Sequence, residues 1–82
     1  MKKVDYLNKA CFKFLSAENA KAQGILNLVM FSSYMDSMRD LLNEAIADAD
    51  LTHVDQQIVC GQIGKYADDI RNMYREGKED YL

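Results

Sequence analysis

Apolar residues recur at steps of three and four along almost the whole chain, and no stretch alternates apolar and polar positions long enough to make a strand. The clearest stripe is Leu28, Phe31, Met35, Met38, Leu42, Ala45 and Ala49, whose steps alternate three and four without a break. This heptad spacing keeps one side of a helix against a partner helix. Its large residues come first and its alanines last, so a neighbour can approach closely near Ala45 and Ala49. Asp36, Arg39, Asp40, Asn43 and Glu44 fall off the stripe, as a solvated face requires. The pattern predicts a helix over about 25–49.

A second stripe runs through Val59, Ile63, Tyr66, Ile70 and Met73. Thr52 is a good N-cap for it, with Asp55 at the capping-box position. Gly77 is a natural C-cap, and the five residues after it are expected to fray. This predicts a helix over 53–76, and each long helix would extend about 36 Å. A connection of about three residues makes the two antiparallel neighbours.

The first segment places Val4, Leu7, Cys11, Phe14 and Leu15 at helical spacing. One helix running on through the second segment would far exceed the usual ~10–14 residues, so a break is required. It falls between Ser16 and Gly24: either Ser16 caps a new helix at Ala17, or the chain turns at Gln23-Gly24.

The expected fold is therefore all-α. A basic N-terminal helix (1–23) packs on an acidic helical hairpin (24–82), all within one domain, 1–82. Between Ile25 and Met35 the apolar residues surround the helix axis, so that helix needs cover on most sides. A second copy of the chain supplies it most simply. The bundle is expected to be completed by dimerisation through Leu28, Phe31, Met35, Met38 and Leu42.

Gly61 and Gly64 sit inside the last predicted helix, where each costs about 1 kcal/mol relative to alanine. Close packing of another backbone against them is the first explanation. A kink at Gly64 is the second. The third is a helix-turn-helix over 57–75, with Cys60 and Gly64 in the turn and Arg71, Asn72 and Arg75 facing DNA. Lys65 stands at a normally apolar position of that motif, and Asp68 and Asp69 oppose phosphate attraction.

Composition narrows the functions. The chain has 82 residues, 49% of them apolar and none of them proline. That is too short for the large cofactor-binding folds. Two cysteines are too few for a disulfide scaffold, so Cys11 and Cys60 read as reduced thiols in the core. The longest uncharged run, Ala22 to Met35, is shorter than the ~20 residues a membrane span needs. A cytoplasmic protein without a membrane segment is expected.

The net charge of −3 is unevenly spread. Residues 1–23 carry five basic and two acidic side chains, a net of +3, and residues 24–82 carry five basic and eleven acidic ones, a net of −6.

Catalytic patterns do not assemble. His53 is the only histidine and lies in the first turn of a predicted helix. Asp48, Asp50 and Thr52 match the opening of an EF-hand loop, but His53 replaces its glycine and Val59 its closing glutamate. Ser32-Ser33 has no base near it in sequence, and Asp68 and Asp69 diverge around the helix. Neither an enzyme nor a cofactor or metal is expected.

The function expected is stoichiometric binding to another protein, through exposed Asp36, Asp40, Glu44, Asp68, Asp69, Arg71 and Arg75. The acidic balance suits a basic partner, such as one that binds nucleic acid. By size and charge alone, the chain is similar in character to small phage or mobile-element proteins that inhibit such complexes, anti-CRISPR proteins among them. Direct DNA binding through 57–75 is the alternative.

Overall fold

The computed structural model describes residues 2–79, with side chains described as far as Gly77. It is all-α, as predicted: α1 (Lys3–Ala22), α2 (Leu28–Ala47) and α3 (His53–Glu79), with no strand among the described residues.

α1 starts where the Lys2 backbone N–H donates to Asp5 Oδ2 at 3.1 Å. It ends at the second of the two predicted breaks. Gly24 takes φ +71°, its N–H donates to the Lys21 carbonyl, and the Ile25 N–H donates to the Ala20 carbonyl. These bonds form a Schellman turn, in which glycine tolerates the left-handed backbone that satisfies the last carbonyls. Ser16 starts no helix; its hydroxyl donates to the Phe12 carbonyl at 2.9 Å within α1.

α2 is shorter than predicted at both ends. The Asn27 side chain accepts from the Met30 N–H at 2.9 Å and caps the helix, leaving Ile25 and Leu26 in the connection. At the other end, Asp48 Oδ1 accepts from the Asp50 N–H at 2.9 Å, a local bond that draws the chain into a turn. Gln56 of α3 completes the stop. Its Nε2 donates to the Ala45 and Ile46 carbonyls at 2.9 and 2.8 Å, adding to the Asp48 N–H bond that Ala45 already accepts.

Thr52 caps α3 as expected, its Oγ1 accepting from the Asp55 N–H at 3.1 Å. The helix then continues through Gly61, Gly64 and Gly77 to Glu79. Gly77 is thus no C-cap, and Gly64 neither kinks nor ends the helix. The helix-turn-helix reading fails for the same reason: residues 57–75 lie in one continuous helix, with no turn to hold a recognition helix at an angle. Of the segment expected to fray, Lys78 and Glu79 are helical, and 80–82 lie outside the described residues.

The helices run up, down and up. Phe31 at the start of α2 stacks on Tyr74 near the end of α3, with centroids 4.5 Å apart. Tyr6 near the start of α1 reaches Asp48 beyond the end of α2. α1 and α3 are parallel, joined near one end by Lys3–Asp55 at 3.5 Å and near the other by Lys21–Glu76.

The core lies along the common axis. Met38, Val59, Ile63 and Ile70 are its largest fully buried side chains. α1 contributes Tyr6, Ala10, Ala17 and Ala20, so the buried stripe is not the predicted one. Val4 and Leu15 face outward, and Leu7 and Phe14 pack against the core's edge. The alanines decide this, because their size lets α1 approach the other helices closely, facing Ala45 and Ala67 in the same cluster. Cys11 and Cys60 are free thiols and half-buried rather than enclosed.

Candidate binding groove

A groove of about 420 Å³ lies between α2 and α3. Its floor is apolar, formed by Met35, Met38 and Leu42 of α2 with Ile63 and Ala67 of α3. Met38 and Ile63 close the bottom and are buried, while Met35 and Leu42 are half-buried. Gly64 lies on the α3 side, and a Cβ added to it would meet nothing within 4 Å.

The two glycines are therefore not explained by close packing. At Gly61, too, an added Cβ finds open space. At Gly64 the missing side chain has a visible result, since it keeps the groove open. Nothing in the structure explains Gly61.

Four exposed charges line the groove. Arg39 pairs with Asp36 one turn away on α2, at 3.2 Å, and Arg71 pairs with Asp68 one turn away on α3, at 2.6 Å. Each ion pair is local to its helix and solvent-screened, so it holds the side chains in place without adding much stability. The antiparallel register set by the Phe31–Tyr74 stack puts Asp36 and Arg71 toward one end of the groove. Arg39 and Asp68 stand toward the other.

The structure thus gathers six of the predicted interaction residues, Asp36, Asp68, Arg71, Met35, Met38 and Leu42, with Gly64, into one feature. The others lie elsewhere. Leu28 is 61% exposed at the start of α2, and Phe31 is engaged with Tyr74. Asp40, Glu44 and Arg75 are exposed away from the groove, and Glu44 is close enough to Tyr6 to disfavour its ionised form. Asp69 lies near Tyr66 on the side of α3 that meets α1. Arg39 completes the rim and was not among the predicted residues. Its i,i+3 spacing from Asp36 was visible, but its orientation toward α3 was not.

The groove offers carboxylates, guanidinium groups and an apolar floor, and no imidazole, thiol or hydroxyl lines it. Such a surface suits recognition of a side chain or helix. Elsewhere, Tyr66 stacks on Phe14 at 4.9 Å, and its hydroxyl pKa is raised by a bond to Cys11 and by burial. Among the described residues no cluster of histidine, cysteine or carboxylate side chains is suited to hold a metal. No described helix is long and apolar enough to cross a membrane. Compared with protein-family models, curated proteins and solved structures, the chain finds a match in none of the three.

Proposed function

We propose that this protein is a non-enzymatic helical module that acts by stoichiometric association with another protein. The α2–α3 groove carries this reading: a half-open apolar floor inside a charged rim is the anatomy of a protein interface. Methionine makes the floor adaptable, because its unbranched, polarizable side chain fits varied partner surfaces. The acidic surplus of residues 24–82 favours a basic partner of the kind that binds nucleic acid. Its long-range attraction speeds encounter with that partner. Bound to such a partner, the module would act as an inhibitor by occupying a basic surface that nucleic acid also needs.

The test is retention of a partner from the source cells by native protein and by Gly64→Gln. Glutamine fills the groove and is a better helix former than glycine, so the fold is retained. Native protein should hold a partner at fixed stoichiometry, and Gly64→Gln should release it. Equal retention by both would show that the groove is not the binding surface.

A further inference from the structure

We propose that the α2–α3 groove pairs with the same groove on a second copy of this chain. The proposal rests on reading the groove as an association surface, and it names the occupant. Around the rim the signs alternate: Asp36 and Arg71 at one end, Arg39 and Asp68 at the other, with each helix carrying one of each. A partner of one sign gains little from such a quartet, because it meets two like charges wherever it meets two unlike ones. A copy of the quartet gains at all four positions. Rotation by a two-fold axis lying in the plane of the face lays each aspartate over an arginine. This holds whether the axis runs along the helices or across them, so the face is self-complementary, as a symmetric dimer requires.

The surroundings point the same way. Two copies of a chain with net charge −3 repel one another at long range. The groove's four charges cancel, so on the acidic α2–α3 face this is where close approach costs least. Its floor already has the form of a helix-pairing surface, with Met35 and Leu42 seven positions apart and both only half-covered. The open space at Gly64 accepts a side chain from the other copy. The long face of the bundle measures 46 Å by 16 Å, about 740 Å² in projection, so a pairing that uses the whole face approaches the ~800 Å² a side of a standard interface. Asp40 and Glu44 then stay outside the pairing face, so a basic partner would span the acidic surfaces of both copies and be released when Gly64→Gln separates them.

Sedimentation equilibrium in the micromolar range tests this with two charge-swapped chains. One carries Asp36→Arg and Asp68→Arg, giving an all-basic rim, and the other carries Arg39→Asp and Arg71→Asp, giving an all-acidic one. All four positions are more than half exposed, so the fold tolerates the changes. Native protein should sediment at twice the chain mass. Each swapped chain alone should be monomeric with unchanged helical circular dichroism, and an equimolar mixture should recover the doubled mass. If a swapped chain does not fold, Gly64→Gln supplies the second comparison and should be a folded monomer.

A monomeric native protein overturns the proposal, and so does a dimer that both swapped chains and Gly64→Gln leave intact. The outcomes also separate the two readings. Monomeric native protein that loses its cellular partner on Gly64→Gln keeps the binding reading and rejects self-pairing. A dimer with the expected swap behaviour but no cellular partner keeps self-pairing and rejects the other.

Discussion

The Tyr6 hydroxyl donates to Asp48 Oδ2 at 2.7 Å, joining residues 42 positions apart and tying the start of α1 to the turn after α2. The ring is buried in the core and only its oxygen reaches the carboxylate. The contact moves both titrations. The bond to Asp48, followed by burial and the charges of Asp48 and Glu44, pushes the Tyr6 pKa up to about 12. The same bond, aided by the Asp50 amide, holds Asp48 down at about 2.

The signs give two windows. Asp48 is depressed from about 3.8, so its stabilisation is full above that value and is lost as pH falls toward 2. Tyr6 is raised from about 10, so its stabilisation is full below that value and is lost as pH rises toward 12. Tyr6→Phe keeps the buried ring and removes the bond, and should flatten the stability profile in both windows. Urea unfolding across pH checks this. Native and variant curves that stay parallel below pH 4 and above pH 10 would assign the titrations elsewhere.

Gly61 and Gly64 predict a gain. Each lies inside α3, and neither would bring a new Cβ within 4 Å of a neighbour. Replacing glycine by alanine in a helix interior removes a backbone entropy cost of about 1 kcal/mol. Gly61→Ala should stabilise the protein by about that amount. Gly64→Ala should gain less where the second copy uses the space, and the two sites, one turn apart, are close enough to couple. Denaturant midpoints measure it. A loss at Gly61 would mean that a neighbour occupies the space in solution.

The three helices were legible, as were the Thr52 cap and one of the two breaks offered, that at Gly24, because each depends on local chemistry. The Asn27 cap was not read, and Gly77 was read as a cap it does not form. Thr52 and Gly24 act within a few residues of themselves, and a β-period was absent throughout. The faces were less legible. On α1 the eye follows Val4, Leu7, Cys11, Phe14 and Leu15, yet helix proximity is won by Ala10, Ala17 and Ala20, which hydrophobicity alone ranks low. On α2 the heptad stripe drifts relative to a 3.6-residue helix. Leu41 accordingly replaces Leu28 and Ala49 in the core beside Met38 and Ala45. The groove was half legible. Its residues were chosen as apolar or charged in sequence, but the alternation of signs between α2 and α3 depends on a register that only packing sets.

Gln56 predicts a loss that its exposed-looking position in the sequence conceals. Its amide donates to two carbonyls at the end of α2, that of Ala45, which also accepts from the Asp48 N–H at 3.3 Å, and that of Ile46. A typical hydrogen bond contributes about 0.5–1.5 kcal/mol net, and leaving an acceptor unsatisfied costs more when it is shielded from water. Gln56→Ala should destabilise by about 1–3 kcal/mol, while Gln57→Ala, on an exposed neighbour, should fall within about 0.5 kcal/mol of native. Faster exchange of the amides in the last turn of α2 would locate the effect. Equal stabilities for the two variants would remove the role given to Gln56.

The Phe31–Tyr74 stack sets the register on which the groove's charge pattern depends. The rings lie 4.5 Å apart and 13° from parallel. Aromatic pairs of this kind contribute about 0.5–1.5 kcal/mol beyond the area they bury. A double-mutant cycle over Phe31→Leu and Tyr74→Leu should return a coupling in that range, because leucine keeps most of the apolar volume while removing the ring contact. Loosening the stack should also blur the register between α2 and α3, so the double variant should lose self-association even though all four rim charges are intact. The coupling is read from denaturant unfolding, and association from sedimentation of the same samples. A coupling near zero would show that each ring packs on the core independently, and the register would then rest on the buried Met38, Ile63 and Ile70 alone.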